Sequence, residues 1–115
     1  MDKRLLWLGS SRPDIRAFPA DARRMAGFQL LRVQQGLEPN DWKPMASIGP
    51  GVLELRIHTD TEHRVCFVAR FAEGIYVLHA FEKRSRKTSA KDLELARGRY
   101  RELLELRRRE GHGKG

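Results

Sequence analysis

At 115 residues the chain has room for one domain built around one core. It is 40% hydrophobic and 33% charged, and no stretch is apolar enough to span a bilayer, so it reads as a soluble cytoplasmic protein. A net charge of +8 directs attention to anionic partners, while Cys66, the sole cysteine, excludes an intramolecular disulfide and a cysteine zinc site.

Lys3 to Leu8 is predicted to form a short strand, stopped by Gly9-Ser10-Ser11. Pro13 opens one helical turn. Pro19 then starts a longer helix that Gly36 ends, with Ala22, Met25, Ala26, Leu30 and Val33 as its buried stripe. Residues 42–51 hold two prolines and two glycines, so they read as irregular, with a short edge strand at 45–48. Strands are predicted at 52–58, 64–71 and 75–81. The last helix starts near Ser89, where Ser89 and Asp92 form a capping box, and runs to about Arg109. Leu93, Ala96, Tyr100, Leu103 and Leu104 share its apolar face. The expectation is a single domain over residues 1–110 with a frayed tail at 111–115. Its fold class is α+β: a mostly antiparallel sheet of about four strands, with two N-terminal helices and a C-terminal helix packed on it.

Side chains alternate across a strand, so pairing can be tested on the sequence. A three-residue loop at 59–61 sets His58 opposite Glu62, Arg56 opposite Arg64 and Glu54 opposite Cys66. A two-residue turn at Glu73-Gly74 sets Phe71 opposite Tyr76 and Lys83 opposite Arg64. One face then collects Leu53, Leu55, Ile57, Val65, Phe67, Ala69, Phe71, Tyr76, Leu78 and Ala80 as the core. The other carries Cys66, Val68, Val77 and Phe81, bordered by the row Arg56, Arg64, Lys83. Cations side by side on neighbouring strands repel, and an anionic ligand would neutralise them. The alternative is that Glu54 and Glu62 screen the row and nothing binds.

Just past that row runs Lys83-Arg84-Ser85-Arg86-Lys87-Thr88, which leads into a helix N-terminus, itself a favourable place for phosphate. Phe81 and Trp42 can stack bases or serve as packing. RNA cleavage by 2′-OH attack on the adjacent phosphate needs no metal. It requires a base, an acid and cations for the phosphorane, and Arg56, Arg64, Lys83 and Lys87 can supply the charge. His79 has the parity of the row but sits deeper, where a satisfied sheet histidine is the competing reading. The histidines show no metal-ligand spacing, and no cofactor or metal is expected.

Gly51-Val52-Leu53-Glu54-Leu55-Arg56, then His63-Arg64-Val65, then Leu78-His79-Ala80-Phe81-Glu82-Lys83-Arg84 and Lys87-Thr88-Ser89 resemble the phage-derived, HigB-like branch of the RelE/ParE toxin superfamily. That branch is typified by "G-x-x-E-L-R", an "R-(V/I)" strand, and "L-H-x-F-x-K-(K/R)-x-x-K-T" ahead of the last helix. The similarity covers roughly residues 48–100. It implies a RelE-like fold and the toxin of a type II toxin–antitoxin pair: a ribosome-dependent endoribonuclease that cuts messenger RNA. Its partners would be a helix-turn-helix, HigA-like antitoxin, in a dimer or heterotetramer, and the ribosome. By position, Arg56, Arg64, Lys83 and Lys87 match the family's basic residues and are the catalytic candidates. Arg84, Arg86, Phe81, His79 and Thr88 are the RNA-binding candidates. Ala80 stands where the branch has glycine and Ser89 where it has proline. No tyrosine stands at the start of the last helix, so the residue that moves the proton is open. Rival readings are a gyrase-directed, ParE-like toxin and a non-enzymatic, phage-derived nucleic-acid-binding protein.

Overall fold

The computed structural model describes residues 2–112. Its elements are β1 (Leu5–Trp7), α1 (Ser11–Arg16), α2 (Ala20–Gln34), β2 (Trp42–Pro44), β3 (Val52–His58), β4 (Glu62–Val68), β5 (Ile75–Lys83) and α3 (Ala90–Arg109). Among the described residues the strands form one five-stranded sheet in the order β1-β5-β4-β3-β2, with β1 parallel to β5 and the other pairs antiparallel. The fold is α+β, as expected, with one strand more than the four anticipated. None of its helices is long and apolar enough to cross a membrane.

Both faces of the sheet are covered. On one, α1, α2 and the link between them bury Ile15, Phe18, Ala22, Ala26, Leu30 and Val33 against Leu55, Ile57, Val65, Phe67, Ile75, Val77 and Ala80. On the other, α3 buries Ala96, Tyr100 and Leu103 against Val52, Cys66, Val68, Tyr76, Leu78 and Phe81. Met25, expected in the α2 stripe, is 39% exposed. Gln29 is buried in the stripe instead, and its Oε1 accepts from the Asn40 N–H at 2.7 Å, which ties the following loop to the helix. Gly36, at φ +81°, ends α2 in the left-handed conformation that glycine adopts without strain.

The β3–β4 register is the expected one: His58 faces Glu62, Arg56 faces Arg64 and Glu54 faces Cys66. The β4–β5 register is not. Arg64 faces Phe81, Lys83 faces Glu62, and a bulge between Cys66 and Phe67 leaves Phe67 opposite Val77 and Val68 opposite Tyr76. β4 ends at Val68, so residues 69–74 form a longer connection than the expected two-residue turn. Lys3 holds that connection, its Nζ donating to the carbonyls of Ala69 and Phe71. The extra residue of the bulge reverses side-chain parity along β5. Tyr76 and Leu78, together with Phe71, therefore lie on the α3 side, and Val77 lies on the α2 side.

The edge strand also departs from expectation. It is Trp42–Pro44, while residues 45–48 turn and drop Met45 and Ile48 into the α3-side core. An edge position suits Pro44, which has no N–H to offer a second neighbour. At the chain's end, the Gly111 and His112 N–H groups bond back to Arg108 and Arg107. The rest of the expected frayed tail, residues 113–115, lies outside the described residues.

Candidate nucleic-acid interface

Cross-strand pairing on the α3-side face builds three successive rows beyond the apolar cluster. The first is Lys43, Glu54, Cys66 and His79; the second Arg56, Arg64 and Phe81; the third His58, Glu62 and Lys83. Phe81 thus takes the place expected for Lys83, which sits one row further out. The row of three like charges is replaced by an alternation of cations and carboxylates.

Glu54 is the floor of this cluster, only 1% exposed. Its Oε1 lies 3.6 Å from Arg64 Nε and 3.7 Å from Arg56 Nε. Those distances are too long for hydrogen bonds, and both Glu54 oxygens and both arginine Nε atoms are buried without a direct partner. Arg64 is itself buried. Its Nη1 donates to Glu62 Oε1 at 3.0 Å and to the His63 carbonyl at 3.1 Å. The side chain of Arg56 is 30% exposed, and among the described residues it makes no hydrogen bond. Of the two arginines, Arg56 is the one that solvent and a ligand can reach.

Glu62 links this cluster to His58, whose Nδ1 lies 2.7 Å from Glu62 Oε1 and whose Nε2 meets Asp41 in the loop before β2. The two carboxylates raise the imidazole's proton affinity above its ordinary value; His58 and then Arg64 hold the Glu62 carboxyl below its own. Lys83 is half-buried. Burial lowers its ammonium's pKa, and Arg64, Lys43 and Arg56 push in the same direction against the opposing pull of Glu54.

A recess of about 230 Å³ opens beside Lys83, lined by Phe81, Glu82, Arg84, Ser85, Lys87, Ser89 and Asp92. Lys87 and Lys83 therefore share one opening. Arg84 is exposed and only loosely tied to Glu82 at 3.4 Å; Arg86 is exposed and Thr88 half-buried. The N-terminus of α3 adds little for an anion, because its own cap occupies it. Ser89 Oγ accepts from the Asp92 N–H, and the Asp92 carboxylate lies over the same turn.

His79 is the satisfied sheet histidine of the competing reading. Its Nδ1 accepts from Arg99 Nη1 at 3.1 Å, which makes Nε2 the donor to Asp92 Oδ1 at 2.8 Å. It is 4% exposed and stacks on Phe81 with ring centroids 5.1 Å apart, so Phe81 is packed as well and only lines the recess. Trp42 is on the other face, beside Val33, Leu37 and Phe67. Sequence reasoning missed Lys43, His58 and Asp41. Lys43 escaped because the edge strand was expected at 45–48, which hides its pairing with Glu54.

No curated protein matches the chain. The model of one family, described as Phage derived protein Gp49-like (DUF891), matches residues 13–101, a span that includes every strand but β1 and most of α3. The chain belongs to this phage-derived Gp49-like family, a family of RelE/HigB-like toxins.

Proposed function

We propose that this protein is the toxin of a type II toxin–antitoxin pair, and that it cuts messenger RNA on the ribosome. The observation that carries the reading is the grouping of Arg56, Lys43 and Lys83 around the buried Glu54, next to an open recess and the Lys83–Lys87 hinge. A cluster of this kind favours a phosphodiester whose negative charge increases during reaction.

In the chemistry we infer, a ribose 2′-oxygen attacks the adjacent phosphorus and the bond to the 5′-oxygen breaks. The products are a 2′,3′-cyclic phosphate and a free 5′-hydroxyl; one proton leaves the 2′-OH and one reaches the 5′-oxygen, with no metal ion involved. Arg56 and Lys87 stabilise the phosphorane. Lys83, whose proton affinity is lowered, exchanges protons more readily than an ordinary lysine. Arg84, Arg86 and Thr88 hold flanking phosphates, and Phe81 bounds the recess. The buried Arg64 supports the frame and contributes charge from beneath. The partners are a helix-turn-helix antitoxin that restrains the activity, in a heterodimer or heterotetramer, and the cytoplasmic ribosome.

Induced expression in bacterial cells with mapping of transcript ends tests this. Growth arrest with cuts inside translated regions, both lost in Lys83→Ala, is the expected result. Intact transcripts with damaged DNA would assign the protein to gyrase, and normal growth to a non-enzymatic role. Arg64→Ala is a poorer probe, because it leaves Glu54 buried with one cation fewer.

A further inference from the structure

We propose that Glu54 is the positioning residue of the cationic cluster: its buried carboxylate sets the planes of Arg56 and Arg64 so that Arg56 presents its free nitrogens to a phosphate. The inference rests on the reading of this face as a phosphodiester site.

A carboxylate that is 1% exposed and accepts no hydrogen bond costs stability unless nearby cations offset it. Here two do, both through Nε and both on the same oxygen. Nε is the nearest nitrogen of each guanidinium to Glu54, so the terminal nitrogens are the ones left for other partners. Arg64 spends one of its own on Glu62 and on the His63 carbonyl, and so is fixed. Arg56 makes no hydrogen bond through its own among the described residues, and its side chain is 30% exposed, so a phosphate can engage them as a pair. Lys43, across the ladder from Glu54, and Lys83 close the charge around the same point.

Simple screening offers a different account of the same carboxylate, in which Glu54 only reduces repulsion between cations. The two accounts predict opposite signs. If Glu54 screens, Glu54→Gln makes the cluster one unit more positive and tightens binding of any anion. If Glu54 positions, the same variant frees the guanidinium planes and weakens binding despite the added charge.

The test uses inorganic phosphate as the probe, with affinity read from chemical-shift changes of the Arg56 guanidinium. The Lys83 ammonium titration and transcript cleavage are read alongside. We expect Glu54→Gln to bind phosphate more weakly, to shift the Lys83 titration to lower pH as the pull of Glu54 is removed, and to cut on the order of 10²-fold more slowly. Glu54→Asp, which keeps the charge but draws it back by one methylene, should also lose phosphate affinity while Lys83 titrates close to its original position. It decides the question if Glu54→Gln fails to fold. Tighter phosphate binding in either variant, or no binding by the wild type, overturns the proposal. If the wild type binds phosphate but cuts no transcript, the nuclease reading fails while the affinity and titration still decide the role of Glu54.

Discussion

His79 Nε2 donates to Asp92 Oδ1 across 2.8 Å, and this one bond joins the middle of β5 to the first turn of α3. The charged hinge is strung between the two residues it ties together. Arg99 braces the ring from the other side, reaching His79 Nδ1, the Leu78 carbonyl and Ser10 Oγ. His79→Ala should therefore lower the unfolding free energy by about 1–3 kcal/mol, measured by urea denaturation, because it removes the donor to Asp92 Oδ1 and one partner of Arg99 and unstacks Phe81. Transcript cutting by the folded variant should persist. Loss of cutting at unchanged stability would make His79 a proton-transfer group instead.

Glu73 and Arg107 give the fold an acid limit. Arg107 Nε donates to Glu73 Oε2 at 2.6 Å, and the guanidinium lies over the Phe71 ring, 3.7 Å from its centroid. Mainly through that bond, the Glu73 carboxyl is held down at about 2, against about 4.5 for a free glutamate. A depressed carboxyl contributes stability that is complete above the unfolded value and is lost as pH falls toward the folded one. Wild-type stability should thus decline between about pH 4.5 and 2. Arg107→Leu should flatten that limb and begin acid unfolding at a higher pH, followed by circular dichroism.

His58 has the opposite sign. Its imidazole is raised above 6.5 by Asp41 and Glu62, so its contribution is fully present below 6.5 and disappears as pH rises through the folded value. The ring is 49% exposed, so the effect is modest and screened by salt. Urea midpoints compared across about pH 6 to 8 should fall for the wild type and stay flatter for His58→Gln. Equal slopes would mean that the two carboxylates do not hold the charged ring.

Much of this fold is legible in the residues, and its misreadings have physical causes. Arg56 opposite Arg64 follows from a short loop and clean alternation on β3 and β4, where a one-residue slip would mix Leu55 and Ile57 with the charged side chains of the other face. The β5 bulge leaves no such trace. Val77 and Leu78 are both apolar and both faces of the sheet are covered, so either parity gives an acceptable core. The bulge and the longer connection at residues 69–74 together moved Lys83 by one row. Burial of Arg64 was equally hidden, because its depth depends on Glu54 and Glu62 meeting it from two directions. The hinge and the cap of α3 were readable because each is local.

Lys43 offers a test of where RNA lies. It is on β2, the edge strand, across from Glu54, and no motif singles it out. If a single strand crosses the face from the hinge toward β2, Lys43 contacts a phosphate and Lys43→Ala removes one counterion-releasing contact. Affinity for a short single-stranded RNA should then fall, and the slope of log affinity against log salt should drop by about 0.7. Sequence preference should not change, since a phosphate contact carries no base information. Arg24, exposed on α2 and on the far side of the sheet, is the control, and Arg24→Ala should leave that slope unchanged. An altered slope for Arg24→Ala and none for Lys43→Ala would move the RNA path to the opposite face.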